Sequence, residues 1–195
     1  MNKNTKTVML IAAFALLIVV AVIAYDSLSE KVAPQNNIDI TQNEGEASQT
    51  EQGEETEKIE APDFTVLDMD GNSVKLSDMI GKPIVLNFWA SWCSPCKKEM
   101  PEFNEVYEEV GEDITFMMIN LVDGQRETVE KGTKYVKDQG FTFPVYFDAE
   151  QEAASTYGIR SIPLTLFIDK DGYIITGAQG TIDAETLKKG IELIK

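Results

Sequence analysis

The chain begins with a long apolar segment. Residues 8–24 read VMLIAAFALLIVVAVIA without a charged side chain, and Lys3 and Lys6 precede them. As an α-helix these 17 residues would span about 26 Å, close to the ~30 Å hydrocarbon core of a bilayer. We predict that residues 1–25 form an uncleaved membrane anchor whose N-terminus is cytoplasmic, because lysines precede the span. A cleaved signal peptide is the alternative, since residues 22–24 offer a small-residue cleavage site.

Residues 26–60 are mostly polar, in contrast to the apolar run that precedes them. They contain no aromatic residue and are rich in Gln, Asn, Glu, Ser and Thr. Such a composition buries too little apolar surface to offset the entropy lost on folding. We predict a disordered acidic linker, and the orientation of the anchor then puts the rest of the chain outside the cytoplasm.

From residue 61 onward, short apolar runs alternate with amphipathic segments. Asp70-Gly71 is a hairpin turn signal between two short strands, and helical periodicity follows the apolar strand at 83–89. The same patterns predict strands at 114–121 and 145–147, a hairpin at 164–176, and helices at 127–139, at 150–157 and from Thr181 or Asp183 onward. Alternating strands and helices predict one α/β domain, residues 61–195, with a mixed sheet flanked by helices.

Charge and composition exclude several functions. The formal net charge of −16 argues against binding to a phosphate backbone, which relies on clusters of Lys and Arg. The chain contains no histidine, so it has no Cys–His or Ser–His nucleophile pair, no histidine metal site and no histidine haem ligand. We predict no nucleic-acid partner, no bound metal and no cofactor.

The two cysteines of the chain, Cys93 and Cys96, follow a predicted buried strand and open a predicted helix. The amides and dipole at a helix N-terminus stabilise an anion, which favours the Cys93 thiolate. Pro95 suits the first helical turn, and Cys96 lies close enough to form a disulfide with Cys93. The arrangement predicts thiol–disulfide exchange, in which Cys93 attacks a target disulfide and Cys96 resolves the mixed disulfide.

Three other roles for the cysteine pair stay open. A structural zinc site needs about four ligands, and a structural disulfide across so short a loop constrains little chain entropy. Two thiolates can also bind Cu(I) transiently. Redox catalysis is favoured over all three, because a strand followed by Cys-x-x-Cys and a helix is a fairly specific signal.

The stretch FWASWCSPCKKEMP, together with the later Ser161-Ile162-Pro163, resembles the thioredoxin superfamily. Within it, the APDF motif at residues 61–64, the hairpin before the first core strand and the N-terminal anchor resemble the ResA/TlpA-type extracytoplasmic thiol–disulfide oxidoreductases. The resemblance implies a thioredoxin-like fold with a central mixed sheet flanked by helices. It also implies an added N-terminal β-hairpin and one preceding transmembrane helix.

The same resemblance implies an activity and partners. The expected activity is reduction of protein disulfides outside the cytoplasmic membrane, with apocytochrome c in cytochrome c maturation as a candidate substrate. A CcdA-like membrane protein is the expected electron donor, and the expected form is a monomer. Strongly oxidising relatives often carry a histidine between the cysteines, and its absence here favours a reductant.

The resemblance also assigns roles to individual residues. Pro163 is expected to follow a cis peptide bond, and Ile162 and Pro163 to form the platform that pairs with the substrate backbone. Trp92 is expected to shape the contact surface. Asn87 stands where cytoplasmic thioredoxins usually carry a buried aspartate. Because an amide cannot accept a proton, we interpret Asn87 as a hydrogen-bonded structural residue.

Glu99 is the candidate proton carrier. It lies three residues beyond Cys96, so the two side chains are neighbours on one face of a helix. ResA-type proteins carry a glutamate at this place, and a glutamate with a raised pKa could relay the proton of the Cys96 thiol. The alternative is an exposed glutamate on a charged helix, and the sequence favours neither.

Two further activities on this fold are alternatives. Peroxiredoxins share the APDF opening, but their cysteine follows a proline seven residues back and a Thr or Ser three back. Counted from Cys93, this chain has Leu86 and Ala90 there. Cu(I)-binding chaperones on this fold generally use a histidine, which the chain lacks. Both activities are therefore disfavoured relative to disulfide reduction.

Overall fold

A mixed β-sheet organises the residues that the computed structural model describes, which are 37–38 and 58–195. Nine strands form the sheet within those residues: β1 Asn37–Ile38, β2 Ile59–Glu60, β3 Thr65–Leu67, β4 Ser73–Lys75, β5 Ile84–Trp89, β6 Thr115–Leu121, β7 Val145–Asp148, β8 Leu164–Ile168 and β9 Tyr173–Gln179. The described helices are α1 Ser94–Val110, α2 Val129–Gln139, α3 Glu152–Thr156, α4 Ala184–Ile194 and a 3₁₀ helix, Leu76–Met79. The predicted α/β architecture with a mixed sheet is confirmed.

The strands lie in the order β1-β9-β8-β5-β6-β7-β3-β4, and β2 also pairs with β9. Strands β5, β6 and β7 are parallel, with α1 and α2 as the crossover connections between them. The remaining pairs are antiparallel. Strand β5 therefore lies inside the sheet, and the residues after it emerge at the carboxyl end of the parallel strands, where open α/β sheets bind ligands.

Alternate side chains of β5 belong to two separate cores. Val85 and Trp89 lie in the core that α1 and α4 cover. Ile84 and Leu86 lie in the core beneath the β3–β4 hairpin. All residues of β5 are buried, as expected for a strand covered on both faces. Because side chains alternate along a strand, Asn87 faces the α1 side together with Val85 and Trp89.

Helices α1 and α4 pack on the same side of the sheet. Phe103 from α1 and Leu187 and Ile191 from α4 are buried in one core. Helix α4 begins after Asp183, whose carboxylate accepts a hydrogen bond from the N–H of Thr186 at 2.9 Å. This is an N-cap contact, and it places the start of the helix at one of the two predicted residues.

Two short strands extend the sheet into the segment predicted to be a linker. In β1, Asn37 and Ile38 pair with Ala178 and Gly177 of β9. In β2, residues 59–60 pair with the same strand nearer its start. The sheet therefore includes residues before position 61. The low hydrophobicity of residues 26–60 does not predict these strands. Pairing through backbone hydrogen bonds is largely independent of side-chain polarity, so it leaves no signal in composition.

The predicted membrane anchor, residues 1–25, lies outside the described residues, as does most of the predicted linker. Among residues 37–38 and 58–195, no helix has the length and apolar character needed to cross a membrane. The anchor stays a prediction from the apolar run at residues 8–24.

Candidate active site

Cys93 and Cys96 form a disulfide at the N-terminus of α1, with their Cα atoms 5.3 Å apart. Cys93 is the N-cap residue in an extended conformation, and its sulphur accepts a hydrogen bond from the N–H of Cys96 at 3.2 Å. Pro95 lies in the first turn, where its missing N–H leaves no acceptor unsatisfied. The helix N-terminus therefore points its amides at the Cys93 sulphur, which favours a thiolate there once the disulfide is reduced.

The loop that contains Ile162 and Pro163 lies against this sulphur. The Ile162–Pro163 peptide bond is cis, as predicted. The Cys93 sulphur is 3.7 Å from the carbonyl oxygen of Ile162. In the disulfide state the sulphur has no hydrogen to donate, so this is a packing contact. The N–H of Gly180 and the side-chain amide of Gln179 both donate to the Pro163 carbonyl, at 2.8 Å each. These bonds attach the loop to the end of β9.

Glu99 lies on the buried face of α1 and is 1% exposed, so the interpretation of an exposed glutamate is wrong. One carboxylate oxygen accepts from the amide nitrogen of Asn87 at 3.0 Å. The other accepts from the backbone N–H of Ile182 at 3.1 Å. Burial raises the pKa of Glu99 from 4.5 to about 7, and these two hydrogen bonds oppose the rise.

Asn87 connects Glu99 to the neighbouring strand. Its amide nitrogen donates to Glu99 and also to the hydroxyl of Thr165 on β8 at 3.0 Å. Because the glutamate oxygen can only accept when ionised, the nitrogen of the amide must face it. The amide oxygen of Asn87 finds no partner among the described residues. Asn87 is thus the hydrogen-bonded structural amide that the sequence predicts.

A second buried carboxylate, Glu127, lies under the loop that precedes Cys93. It is 0% exposed. One oxygen accepts from both the backbone N–H and the hydroxyl of Ser91, at 3.0 and 2.6 Å. The other accepts from the side-chain amide of Asn120 at 2.8 Å. Glu127 therefore ties the end of β6 to the turn between β5 and the disulfide.

Asp123 shapes the loop that carries Glu127. One of its oxygens accepts from the backbone N–H groups of Gln125 and Glu127, each at 2.9 Å. The other faces the guanidinium of Arg126 at 3.2 Å. The backbone hydrogen bonds lower the pKa of Asp123 to about 2. This turn presents Arg126 to Trp92, and the guanidinium lies 4.1 Å from the centroid of the exposed indole ring.

A cavity of about 520 Å³ opens beside the disulfide. Trp92, Cys93 and Pro95 form one side of it, and residues 159–162 form another. The remaining wall comes from residues 121–123 and from Asp148, Gln151 and Ala154, near the start of α3. Cys93 and Ile162 therefore line the same cavity.

Comparison with known proteins identifies the family of this chain. Residues 58–176 match the AhpC/TSA family. The thiol–disulfide oxidoreductase ResA of Geobacillus thermodenitrificans is 37% identical over 138 residues, which is 69% of this chain and 76% of that protein. The chain belongs to the ResA-type thiol–disulfide oxidoreductases of the thioredoxin superfamily. It is therefore a thiol–disulfide oxidoreductase, with Cys93 and Cys96 as its Cys-x-x-Cys pair.

Solved structures agree with the ResA-type assignment. StoA from Bacillus subtilis is 28% identical with a TM-score of 0.59, and the match covers 66% of this chain and 96% of StoA. The pneumococcal exposed lipoprotein thioredoxin of Streptococcus pneumoniae is 32% identical with a TM-score of 0.56. That match covers 68% of this chain and all of the pneumococcal one. The thioredoxin-like fold is thereby confirmed.

The structure brings the predicted site residues of this ResA-type enzyme together. Trp92, Cys93 and Ile162 line the cavity, while Cys96 and Glu99 lie buried on the first turns of α1. Sequence reasoning did not find the second group of residues around the disulfide: Ser91, Asn120, Arg126, Glu127 and Arg160. The first four are brought together by the loop between β6 and α2, which folds back onto the cysteine turn. Arg160 instead lies in the segment between α3 and β8. No short motif marks either contact.

Proposed function

We propose that this oxidoreductase reduces disulfides of extracytoplasmic proteins while anchored in the membrane by residues 1–25. The observation that supports it most is the Cys93–Cys96 pair at the N-terminus of α1, in contact with the Ile162 carbonyl and one turn from the buried Glu99. These groups supply a nucleophile, a surface for a substrate backbone and a proton acceptor at one place.

In the proposed cycle the reduced enzyme passes two electrons to the substrate. The Cys93 thiolate attacks one sulphur of the substrate disulfide, and a mixed disulfide forms. The other substrate sulphur leaves as a thiolate and takes up a proton. The Cys96 thiolate then attacks the Cys93 sulphur, which releases the second substrate thiol and restores the Cys93–Cys96 disulfide. The dithiol of a CcdA-like membrane protein would return the two electrons.

Glu99 would accept the proton that Cys96 loses before it attacks Cys93. Residues three apart on a helix are neighbours on one face, so Glu99 and Cys96 share one face of α1. Its pKa of about 7 suits a group that must both accept and release a proton near neutral pH. Asn87 and the N–H of Ile182 hold the carboxylate in place for this step.

Ile162 and Pro163 would bind the substrate by its backbone, while Trp92 would contact its side chains. An extended peptide can pair with an exposed backbone edge whatever its sequence, so this contact suits an enzyme with several protein substrates. The carbonyl of Ile162, 3.7 Å from the Cys93 sulphur, would hold the target cysteine near the nucleophile.

The extracytoplasmic location rests on the apolar run at residues 8–24 and on the lysines that precede it. The similar pneumococcal thioredoxin is described as an exposed lipoprotein, which supports the same side of the membrane for this chain. Apocytochrome c is the candidate substrate, because reduction of its haem-attachment cysteines is a role that the ResA resemblance implies.

A trapping experiment tests the exchange mechanism. In the full-length Cys96→Ala variant, substrates should remain disulfide-linked to Cys93, because the resolving thiol is gone. The adducts are collected from cells that express the variant, released with dithiothreitol and identified by mass spectrometry. The Cys93→Ala/Cys96→Ala double variant is the matched control and should collect none. Equal recovery from both variants, or none from the single variant, contradicts the mechanism.

The direction of electron flow is tested by the reduction potential. The full-length protein in detergent is equilibrated with thiol–disulfide buffers, and the oxidised fraction is followed by tryptophan fluorescence, since Trp89 and Trp92 flank the site. A reductant should lie near the roughly −270 mV of thioredoxin. A potential near the roughly −120 mV of a strong oxidant would instead indicate that this protein oxidises thiols of its substrates.

A further inference from the structure

Both arginines of the chain line the cavity beside the disulfide. Arg126 and Arg160 are the arginines of the sequence, and every other cationic side chain is a lysine. The chain carries a net charge of −16, so positive charge is scarce on its surface. The placement of both guanidinium groups in one cavity therefore sets that cavity apart from the rest of the protein.

Arg126 lies at the edge of the cavity and contacts both Trp92 and Asp123. Its guanidinium stacks 4.1 Å from the centroid of the Trp92 ring, and its Nε lies 3.2 Å from a carboxylate oxygen of Asp123. A guanidinium fixed in this way keeps further N–H donors for a ligand. Arg126 and Trp92 thus form one surface with an apolar face and a cationic edge.

Arg160 also lines the cavity and directly precedes Ser161 and Ile162. Its side chain is exposed, and within residues 37–38 and 58–195 it makes no ion pair. Because Arg160 is two residues from Ile162, a substrate that pairs with the Ile162 backbone passes close to the guanidinium.

The acidic residues of the cavity are already engaged. Asp148 accepts hydrogen bonds from the N–H groups of Ala153 and Ala154, at 3.1 and 2.8 Å. Asp123 accepts from two backbone N–H groups and from Arg126. Their oxygens therefore face protein donors, and Asp123 and Arg126 form an ion pair. Arg160 is the charged group of the cavity lining that has neither an ion-pair nor a hydrogen-bond partner among residues 37–38 and 58–195.

We propose that the cavity selects substrates with an acidic side chain close to the target disulfide, and that Arg160 is its principal specificity-determining residue, with Arg126 second. Guanidinium groups bind carboxylates through two parallel hydrogen bonds, which lysines cannot do. The acidic surface elsewhere would repel such a substrate, so the two arginines also fix where it binds. This inference rests on the proposed function, because it names the substrate class of the same exchange site.

The test compares three peptides, each with an internal Cys-x-x-Cys disulfide flanked on both sides by Asp, by Asn or by Lys. Their reduction by the reduced full-length protein in detergent is timed, and each rate is divided by the rate with dithiothreitol to remove intrinsic reactivity. We expect the Asp peptide to react about fivefold faster than the Asn peptide at low salt. The preference should largely disappear at about 1 M salt, where the Debye length is about 3 Å.

Three variants test whether Arg160 causes the preference for the Asp peptide. Arg160→Gln should remove most of the preference for the Asp peptide over the Asn peptide, and Arg160→Lys should keep more of it. Lys137→Gln, at the end of α2 and outside the cavity lining, removes the same charge and should leave the ratio unchanged. Equal rates for the Asp and Asn peptides in the wild type, or an unchanged ratio in Arg160→Gln, overturn the inference. If no peptide is reduced at all, the proposed function fails instead.

Discussion

Glu99 and Glu127 are both fully buried near the disulfide, and each accepts hydrogen bonds from a side-chain amide and a backbone N–H, but only Glu127 also accepts from a hydroxyl. Glu99, on α1, accepts from the Asn87 amide and from the N–H of Ile182, and its pKa rises to about 7. Glu127, between β6 and α2, accepts from Asn120 and twice from Ser91. Within residues 37–38 and 58–195 neither carboxylate has a cation as ion-pair partner.

The two carboxylates therefore have different expected roles. Glu99 can exchange a proton with the resolving thiol, and Glu127 holds a loop in place. Glu99 lies one turn from Cys96, so a change in its charge reaches the resolving thiol directly. Glu127 bonds to both the backbone and the hydroxyl of the residue two positions before Cys93, so its loss would release the cysteine turn. The comparison predicts that changes at Glu127 mainly affect stability, and that changes at Glu99 mainly affect pH dependence.

The largest effect is expected for Glu127→Ala. The substitution leaves the buried amide of Asn120 and both donors of Ser91 without a partner, and each buried unsatisfied donor costs about 1–3 kcal/mol. The free energy of unfolding should fall by about 3–5 kcal/mol. Urea unfolding of the full chain in detergent, followed by tryptophan fluorescence, measures it.

The matched control for Glu127→Ala is Glu105→Ala, which removes an exposed carboxylate from α1. Surface substitutions usually change stability by less than about 0.5 kcal/mol. A loss below about 1 kcal/mol for Glu127→Ala would mean that the three hydrogen bonds do not hold the loop.

The second largest effect is a pH dependence of stability, which results from the raised pKa of Glu99. Its pKa is about 7 in the folded protein against an ordinary 4.5, so the folded protein keeps a proton that the unfolded chain releases in this window. The contribution of Glu99 to the free energy of unfolding should therefore be fully present below pH 4.5 and be lost as the pH rises to about 7. The loss amounts to about 3 kcal/mol.

Glu99→Gln isolates this contribution, because glutamine does not titrate. The difference in unfolding free energy between the wild type and Glu99→Gln should change with pH across the window, while any constant effect of the amide cancels. A difference that is flat with pH would show that Glu99 keeps an ordinary pKa despite its burial.

The Glu99→Gln substitution should also slow catalysis, with a smaller change in free energy. Without the Glu99 carboxylate as proton acceptor, resolution of the mixed disulfide by Cys96 should slow about tenfold in Glu99→Gln near neutral pH. The wild-type rate should also show an inflection near pH 7 that the variant lacks. Stopped-flow fluorescence, started by mixing the reduced protein with an excess of a disulfide peptide, measures the rate. Glu105→Gln should match the wild type, and a Glu99→Gln profile that keeps the inflection would assign it to another group.

The fold and the catalytic pair were predictable because their signals are local. A buried strand, Cys93 and Cys96 with Pro95 between them, and a helix stand next to one another in the sequence, so spacing alone indicates the chemistry. The cis bond before Pro163 was predicted from the family resemblance, since an X–Pro bond in a folded protein is cis only about 5–6% of the time.

The burial of Glu99 and the role of Glu127 were not predictable in the same way. Glu99 lies in a charged stretch, and only the packing of the segment before α4, through Ile182, excludes water from it. Glu127 contacts Ser91 across β5 and β6, and its sequence surroundings resemble an ordinary acidic helix start. Tertiary contacts of this kind have no local pattern, so the second buried carboxylate appears only in the structure.

The smallest effect is expected for Ser91→Ala, which removes one of the hydrogen bonds of Glu127 and keeps the backbone N–H that donates to the same oxygen. The loss of stability should be about 1 kcal/mol, since the carboxylate retains two donors. The rate inflection near pH 7 should persist, because Glu99 is untouched. If Ser91→Ala removed that inflection, the two carboxylates would act as one coupled unit. Their different hydrogen-bond partners would then no longer explain the division between holding the loop and carrying the proton.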